Sequence, residues 1–419
     1  MIGRRELLAA GSLALAGCAS APSKAAFVRV VVVGGGFGGA TAARYLKLWG
    51  GADVDVTLVE RNEGFISCPM SNLVIGGVRE PMSIAHGYVG LESQGIRRVR
   101  GEVVGIDPAA KIVTLVDGSR LAWDRLIVAP GIDFMLDGIP GLAAAFESGR
   151  AVHAWKAGAQ TLALRRQLEA LPEGGVVLMS IPKSPYRCPP GPYERACLIA
   201  SYLKRAKPRA KLLVLDANPE IQSKKALFER AFVQHHAGVL EYRPNAELQE
   251  VLADGTARFE FEDVKADVLN LIPPQRAGDL VRHFANVNRR WVGIDWLTMQ
   301  AQAAPGVHVV GDAILSAPGS PKSGHLANQQ GKLAAAAVLQ LLKGEAVDPA
   351  PLMMNTCYSF VTPTEAMHVA SVHQYDAAER TMKAVPGAGG LSPAPNAAEG
   401  KFALAWADNI WADTLALGA

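Results

Sequence analysis

The feature that most constrains this chain is the turn Gly34-Gly35-Gly36-Phe37-Gly38-Gly39, which follows the β-branched stretch Phe27–Val33 and leads into Ala40–Leu48, a segment without Gly or Pro. Strand, glycine turn and helix in that order form the phosphate corner of a dinucleotide fold. Gly34 permits the tight turn, Gly36 lets a pyrophosphate approach the backbone, and Gly39 lets the helix pack on the strand. The helix N-terminus then faces the phosphate. The next strand, Val54–Val59, ends in Glu60, 21 residues beyond Gly39, where an acid that binds a ribose hydroxyl belongs. An acid at that strand end, rather than an Arg-rich one, fits an unphosphorylated adenosine ribose, as in FAD or NAD.

A chain of 419 residues carries two to four domains. Its 42 Lys+Arg against 39 Asp+Glu give a net charge of +3, which is no footprint of nucleic-acid binding. Hydrophobic content of 49% excludes a disordered chain. No unbroken apolar run reaches the ~18 residues of a transmembrane span. Met1–Ala21 joins the pair Arg4-Arg5 to a weakly apolar Ala/Gly run and small residues, which predicts a twin-arginine-type signal and a periplasmic mature protein. Leu15-Ala16-Gly17-Cys18 also resembles a lipobox, so a lipid anchor on Cys18 stands beside cleavage after Ala21.

A second α/β pattern follows: a helix near Ala159–Leu171, a strand Val176–Met179, a helix Tyr193–Lys204, and a strand Lys211–Leu215 ending in Asp216. Its first strand meets Ser180-Ile181-Pro182-Lys183-Ser184-Pro185 instead of glycines. Proline lacks the N–H and fixes φ, so this turn predicts no phosphate cradle and no NAD(P). The turn carries instead Tyr186-Arg187-Cys188-Pro189-Pro190-Gly191-Pro192-Tyr193-Glu194, in which so many prolines fix where one sulfur points.

Leu126-Ile127-Val128-Ala129-Pro130-Gly131 and Gly306-Val307-His308-Val309-Val310-Gly311-Asp312 resemble the later FAD segments of glutathione-reductase-like flavoproteins. With the proline-rich cysteine turn and Asn355-Thr356-Cys357-Tyr358-Ser359-Phe360, the chain resembles the flavoprotein subunit of flavocytochrome c sulfide dehydrogenase over essentially its whole mature length. The resemblance implies an α/β fold of two Rossmann-like domains plus a smaller C-terminal α+β domain. The expected boundaries are an FAD-binding domain in two pieces (27–150 and 273–345), a second domain at 151–272 and a C-terminal domain at 346–419.

It also implies a redox-active disulfide between Cys188 and Cys357, an acid near it at Glu194, and FAD held covalently through Cys68. Further expected cofactor contacts are Gly34, Gly36, Gly39, Glu60, Val103, Gly131, Gly311 and Asp312. The implied activity is oxidation of sulfide to zero-valent sulfur or polysulfide. A c-type cytochrome subunit would carry the haem, since no C-x-x-C-H occurs in the chain. Cys197, on an apolar helix face, reads as an inert thiol, and the nine histidines show no metal spacing. The segment opened by Pro321-Lys322-Ser323-Gly324 predicts a helix whose N-terminus points at the flavin or is merely structural. A sulfide:quinone oxidoreductase and a non-catalytic flavoprotein partner of a sulfur-oxidation complex are the alternative functions.

Overall fold

The computed structural model describes residues 28–418. The expected signal, with Arg4, Arg5 and Cys18, lies outside them. Val28–Val33 is buried from Val30 onward, because a parallel strand covered on both faces needs a continuous apolar run. It is the middle strand of a five-stranded parallel sheet in the order Val307–Val309, Arg125–Val128, Val28–Val33, Val54–Glu60, Arg97–Arg100. The strand that ends before Gly311 therefore lies beside the strand that ends before Gly131.

A second parallel sheet runs Ala151–Val152, Val268–Leu271, Val176–Ile181, Lys211–Asp216, Leu240–Arg243. Its helix Gly191–Ala206 starts after Pro189-Pro190 with Pro192 in the first turn, where a missing N–H costs nothing. Cys197 is fully buried in that helix among apolar neighbours. A third, antiparallel sheet holds Leu352–Phe360, Ala366–Asp376 and Thr381–Leu391.

Two helices fasten this last sheet to the first. Gly324–Lys343 is capped by Ser323, whose hydroxyl accepts from the Leu326 amide at 3.0 Å, and ends at Gly344 with φ 72°. It packs along the helix Phe37–Gly50. The helix Ala397–Leu415 returns to both: the Asp413 carboxylate accepts from Tyr45 at 2.6 Å and Asn328 at 2.8 Å, and pairs with Lys332 at 2.8 Å. No helix of the described residues is long and apolar enough to cross a membrane.

Candidate active site

The glycine turn has the geometry its sequence requires. Gly34 sits at φ 99°, and a Cβ on Gly39 would come within 1.9 Å of the Gly34 carbonyl oxygen, so side chains are barred where strand and helix meet. Around Gly36 nothing lies within 4 Å of where a Cβ would stand, so that face is open to a ligand. Glu60 reaches back under the turn: one oxygen accepts from the Gly35 amide at 2.6 Å, the other from the Asn62 amide at 2.7 Å and its side chain at 2.6 Å.

Three cavities follow one another from here. The first is lined by Gly34, Gly36, Glu60, Val103 and Gly131. The second adds Gly311 and Asp312 and reaches Cys68 and Arg187. The third shares Phe37, Cys68, Arg187, Asp312 and Gly324 with the second and ends among Cys188, Glu194, Cys357 and Trp406. Such a run, open at Gly36 and with carboxylates at Glu60 and Asp312, fits an extended dinucleotide such as FAD.

At the far end each sulfur is placed by a different element. Cys68 follows the short strand Phe65–Ile66, and the Arg187 guanidinium donates to its sulfur at 3.1 Å. Cys188 sits at φ 54°, a left-handed conformation that costs a non-glycine residue ~1–2 kcal/mol. Two hydrogen bonds hold it there: its amide donates to the Lys322 carbonyl and its carbonyl accepts from the Gly191 amide, both at 2.8 Å. Cys357 lies within the strand Leu352–Phe360, opposite Val369.

The expected Cys188–Cys357 bridge is not formed; both residues are free thiols, as are Cys68 and Cys197. Both line the same cleft. Glu194 joins the two walls: it accepts from the Asn72 side chain at 2.7 Å and from the Phe360 amide at 2.8 Å. Burial pushes its carboxyl above the usual range. It is therefore a wall of the cleft rather than a solvated residue of the helix's first turn. Among the described residues no group of three His, Cys, Asp or Glu could hold a metal ion.

Residues 28–168 match the model of pyridine nucleotide-disulphide oxidoreductases, and residues 161–273 match the central region of the sulfide dehydrogenase [flavocytochrome c] flavoprotein chain. Residues 349–415 match the flavin-binding region of flavocytochrome c sulphide dehydrogenase. The flavoprotein chain of the sulfide dehydrogenase of Chlorobaculum thiosulfatiphilum is 56% identical over 46 residues, 11% of this chain and 94% of that relative. This chain belongs to the flavocytochrome c sulfide dehydrogenase flavoprotein family.

The mitochondrial sulfide:quinone oxidoreductase of Mus musculus is 26% identical over 326 residues, 73% of this chain and 69% of that one. The solved sulfide:quinone oxidoreductase of Aquifex aeolicus shares the fold, with a TM-score of 0.75 and 18% identity, over 92% of this chain and 91% of that one.

In this chain several residues in or behind the cleft carry no signal in the sequence pattern. Arg195 is fully buried over the Trp155 ring at 4.9 Å and donates to Asn72 at 3.0 Å and the His153 carbonyl at 2.9 Å; burial lowers its pKa to about 9. His325, at the start of the helix Gly324–Lys343, accepts from the Thr356 amide at 2.9 Å and so fixes the strand of Cys357. Lys224 is buried with its ammonium on the Cys357 carbonyl at 2.8 Å and the Ser359 hydroxyl at 2.9 Å. A lysine beginning a helix, next to Lys225, reads in sequence as a solvated residue. Only the tertiary contact reveals it.

Proposed function

We propose that this chain oxidises sulfide to zero-valent sulfur or polysulfide through a Cys188–Cys357 redox pair and FAD, and passes the electrons to a c-type cytochrome subunit in the periplasm. The observation that carries the reading is the convergence of Cys188, Cys357 and Glu194 on one cleft continuous with the dinucleotide cavity. Membership of the family supports sulfide oxidation with FAD. Sulfide is a soft nucleophile, and its attack on a disulfide is thiol–disulfide exchange.

In the disulfide form, hydrosulfide attacks the bridge and gives a persulfide on one cysteine and a thiolate on the other. A second hydrosulfide removes the outer sulfur, and the two cysteines then re-form their bond. The balance is two hydrosulfide anions to one hydrodisulfide anion, one proton and two electrons. FAD, when bound, supplies the acceptor for that electron pair.

Glu194 takes the proton: a carboxyl whose pKa is raised exchanges protons nearer neutrality than an exposed one. Gly34, Gly36, Gly39, Glu60, Val103, Gly131, Gly311 and Asp312 would hold the cofactor, and Cys68 is the proposed covalent anchor. Haem chemistry is assigned to the partner.

The electrons are not taken from NAD(P)H in this reading. In the second sheet the strand-end acid Asp216 already accepts from Tyr193 at 2.7 Å, Tyr242 at 2.9 Å and Asn218. The turn before Cys188 has its Ser184 and Arg187 amides on Asn218 and Gln275.

Anaerobic titration of the purified holoprotein with sulfide tests the proposal: bleaching of the flavin absorbance is expected, and an unchanged spectrum rejects it. A second reading, quinone as acceptor, is favoured by the exposed Phe402 and Leu404 on the helix Ala397–Leu415 and by the similarity to the two quinone oxidoreductases. Turnover with cytochrome c but not decylubiquinone supports the first reading; the reverse supports the second.

A further inference from the structure

The two cysteines of the cleft do not share the same surroundings. Cys357 has the Lys224 ammonium on its own carbonyl. That ammonium is buried, donates to neutral oxygens, and makes no ion pair with a carboxylate among the described residues. A buried charge without a counter-charge is costly. Burial lowers its pKa most, and the groups that would offset this when ionised are led by Cys357, followed by Glu194, Cys188 and Glu399.

Cys188 faces the opposite balance. Burial is the largest influence there and pushes the thiol up; Cys357 and then Glu194, six residues along, oppose an anion more strongly than Arg187 and, last, Lys224 favour it. At Cys357 burial again pushes the thiol up, but there the favourable effect of Lys224 comes next and outweighs the opposing one of Glu194. Of the other groups around the pair, Arg195 is held on backbone carbonyls and Asn72. His325 accepts from the Thr356 amide and burial lowers its pKa, and His368 is paired with Glu399 at 3.0 Å.

We propose that Lys224 is a positioning residue that sets the polarity of the bridge: when it opens, the negative charge settles on Cys357 and the incoming sulfur joins Cys188. The inference rests on the sulfide reading above and deepens it. Hydrosulfide forms a bond to the Cys188 sulfur, the Cys188–Cys357 bond breaks, and its electron pair stays on Cys357 as thiolate. The proton of the hydrosulfide stays on the new Cys188 persulfide, so charge and electrons balance.

The test uses the holoprotein in two assays. In the first, the pair is reduced with a phosphine under nitrogen, and iodoacetamide labelling of each cysteine is followed against pH by peptide mass spectrometry. Cys357 should label with a midpoint at least about one pH unit below that of Cys188, the size expected of one neighbouring opposite charge. Lys224→Met should raise the Cys357 midpoint by about the same amount and that of Cys188 by clearly less, and Lys224→Arg should restore the Cys357 midpoint. Equal or reversed midpoints in the wild-type protein overturn the proposal, even if Lys224→Met fails to fold. So does a folded Lys224→Met with an unmoved Cys357 midpoint.

In the second assay, one equivalent of sulfide followed by iodoacetamide should leave one extra sulfur atom on the Cys188 peptide. Extra sulfur on the Cys357 peptide overturns the assignment. A protein that takes up no sulfur and keeps its flavin oxidised defeats the sulfide reading instead, while the labelling profile still reports whether Lys224 governs Cys357.

Discussion

The two parallel sheets of this chain have the same outline and opposite corners. In the first, the turn after Val28–Val33 is glycine, the space beyond Gly36 is open, and Glu60 lines the cavity. In the second, the turn after Val176–Ile181 is proline-rich and its amides are taken up internally. The acid at its next strand end, Asp216, is buried beneath two tyrosine hydroxyls and an asparagine. One corner is shaped to receive a dinucleotide; beside the other a cavity lined by Ser180, Pro182 and Ala217 remains, but its strand-end acid is taken up internally and its turn leads to a cysteine. The difference teaches that a fold of this kind keeps its sheet while its corner changes chemistry.

Filling or opening these corners should break the contrast in graded ways. The largest effect is expected for Gly39→Val, whose side chain must enter space 1.9 Å from the Gly34 carbonyl oxygen; the purified variant should carry no flavin absorbance. Next is Glu194→Gln. Because the raised pKa keeps this carboxyl protonated to a higher pH than an exposed one, the rate of flavin bleaching by sulfide should rise with pH through that pKa. The substitution should remove that rise and slow bleaching by ~10²-fold, measured by stopped flow over a pH series.

A smaller change is expected for Tyr193→Phe, which takes one donor from the buried Asp216. It should lower unfolding stability by about 1–3 kcal/mol in denaturant titration and leave flavin content unchanged. The smallest effect is none at all: NADH added anaerobically to the wild-type protein should leave the flavin spectrum in place. Bleaching by NADH would mean that the second corner still receives a nicotinamide.

The first corner was legible because its chemistry is local. A strand, its glycines and the next strand's terminal acid lie within Val28–Glu60, and each residue type has one steric or hydrogen-bonding reason to stand there. The helix was placed from Ala40, whereas it runs Phe37–Gly50; the low helix propensity of Gly38 and Gly39 is overridden by packing against Gly324–Lys343.

The cleft was legible only in part. Cys68, Cys188, Glu194 and Cys357 were named through the resemblance, and the structure brings all four to one cavity. Lys224 and the Arg187 contact to Cys68 were not, since each depends on residues more than a hundred positions apart meeting in space. The occupation of Asp216 was hidden for a related reason: an acid ending a parallel strand looks the same in sequence whether its oxygens face a ribose or tyrosine hydroxyls.

In the proposed function Cys188 and Cys357 form a working redox pair and not a staple. A structural bridge closing a loop of 169 residues would contribute about 5 kcal/mol, and its loss would show chiefly as lower stability. The decisive measurement is flavin bleaching in Cys357→Ser, titrated anaerobically first with sulfide and then with dithionite. The account predicts a folded, yellow protein that sulfide leaves oxidised and dithionite reduces. Bleaching by sulfide as fast as in the wild-type protein would contradict it and make direct attack of sulfide on the flavin the better account.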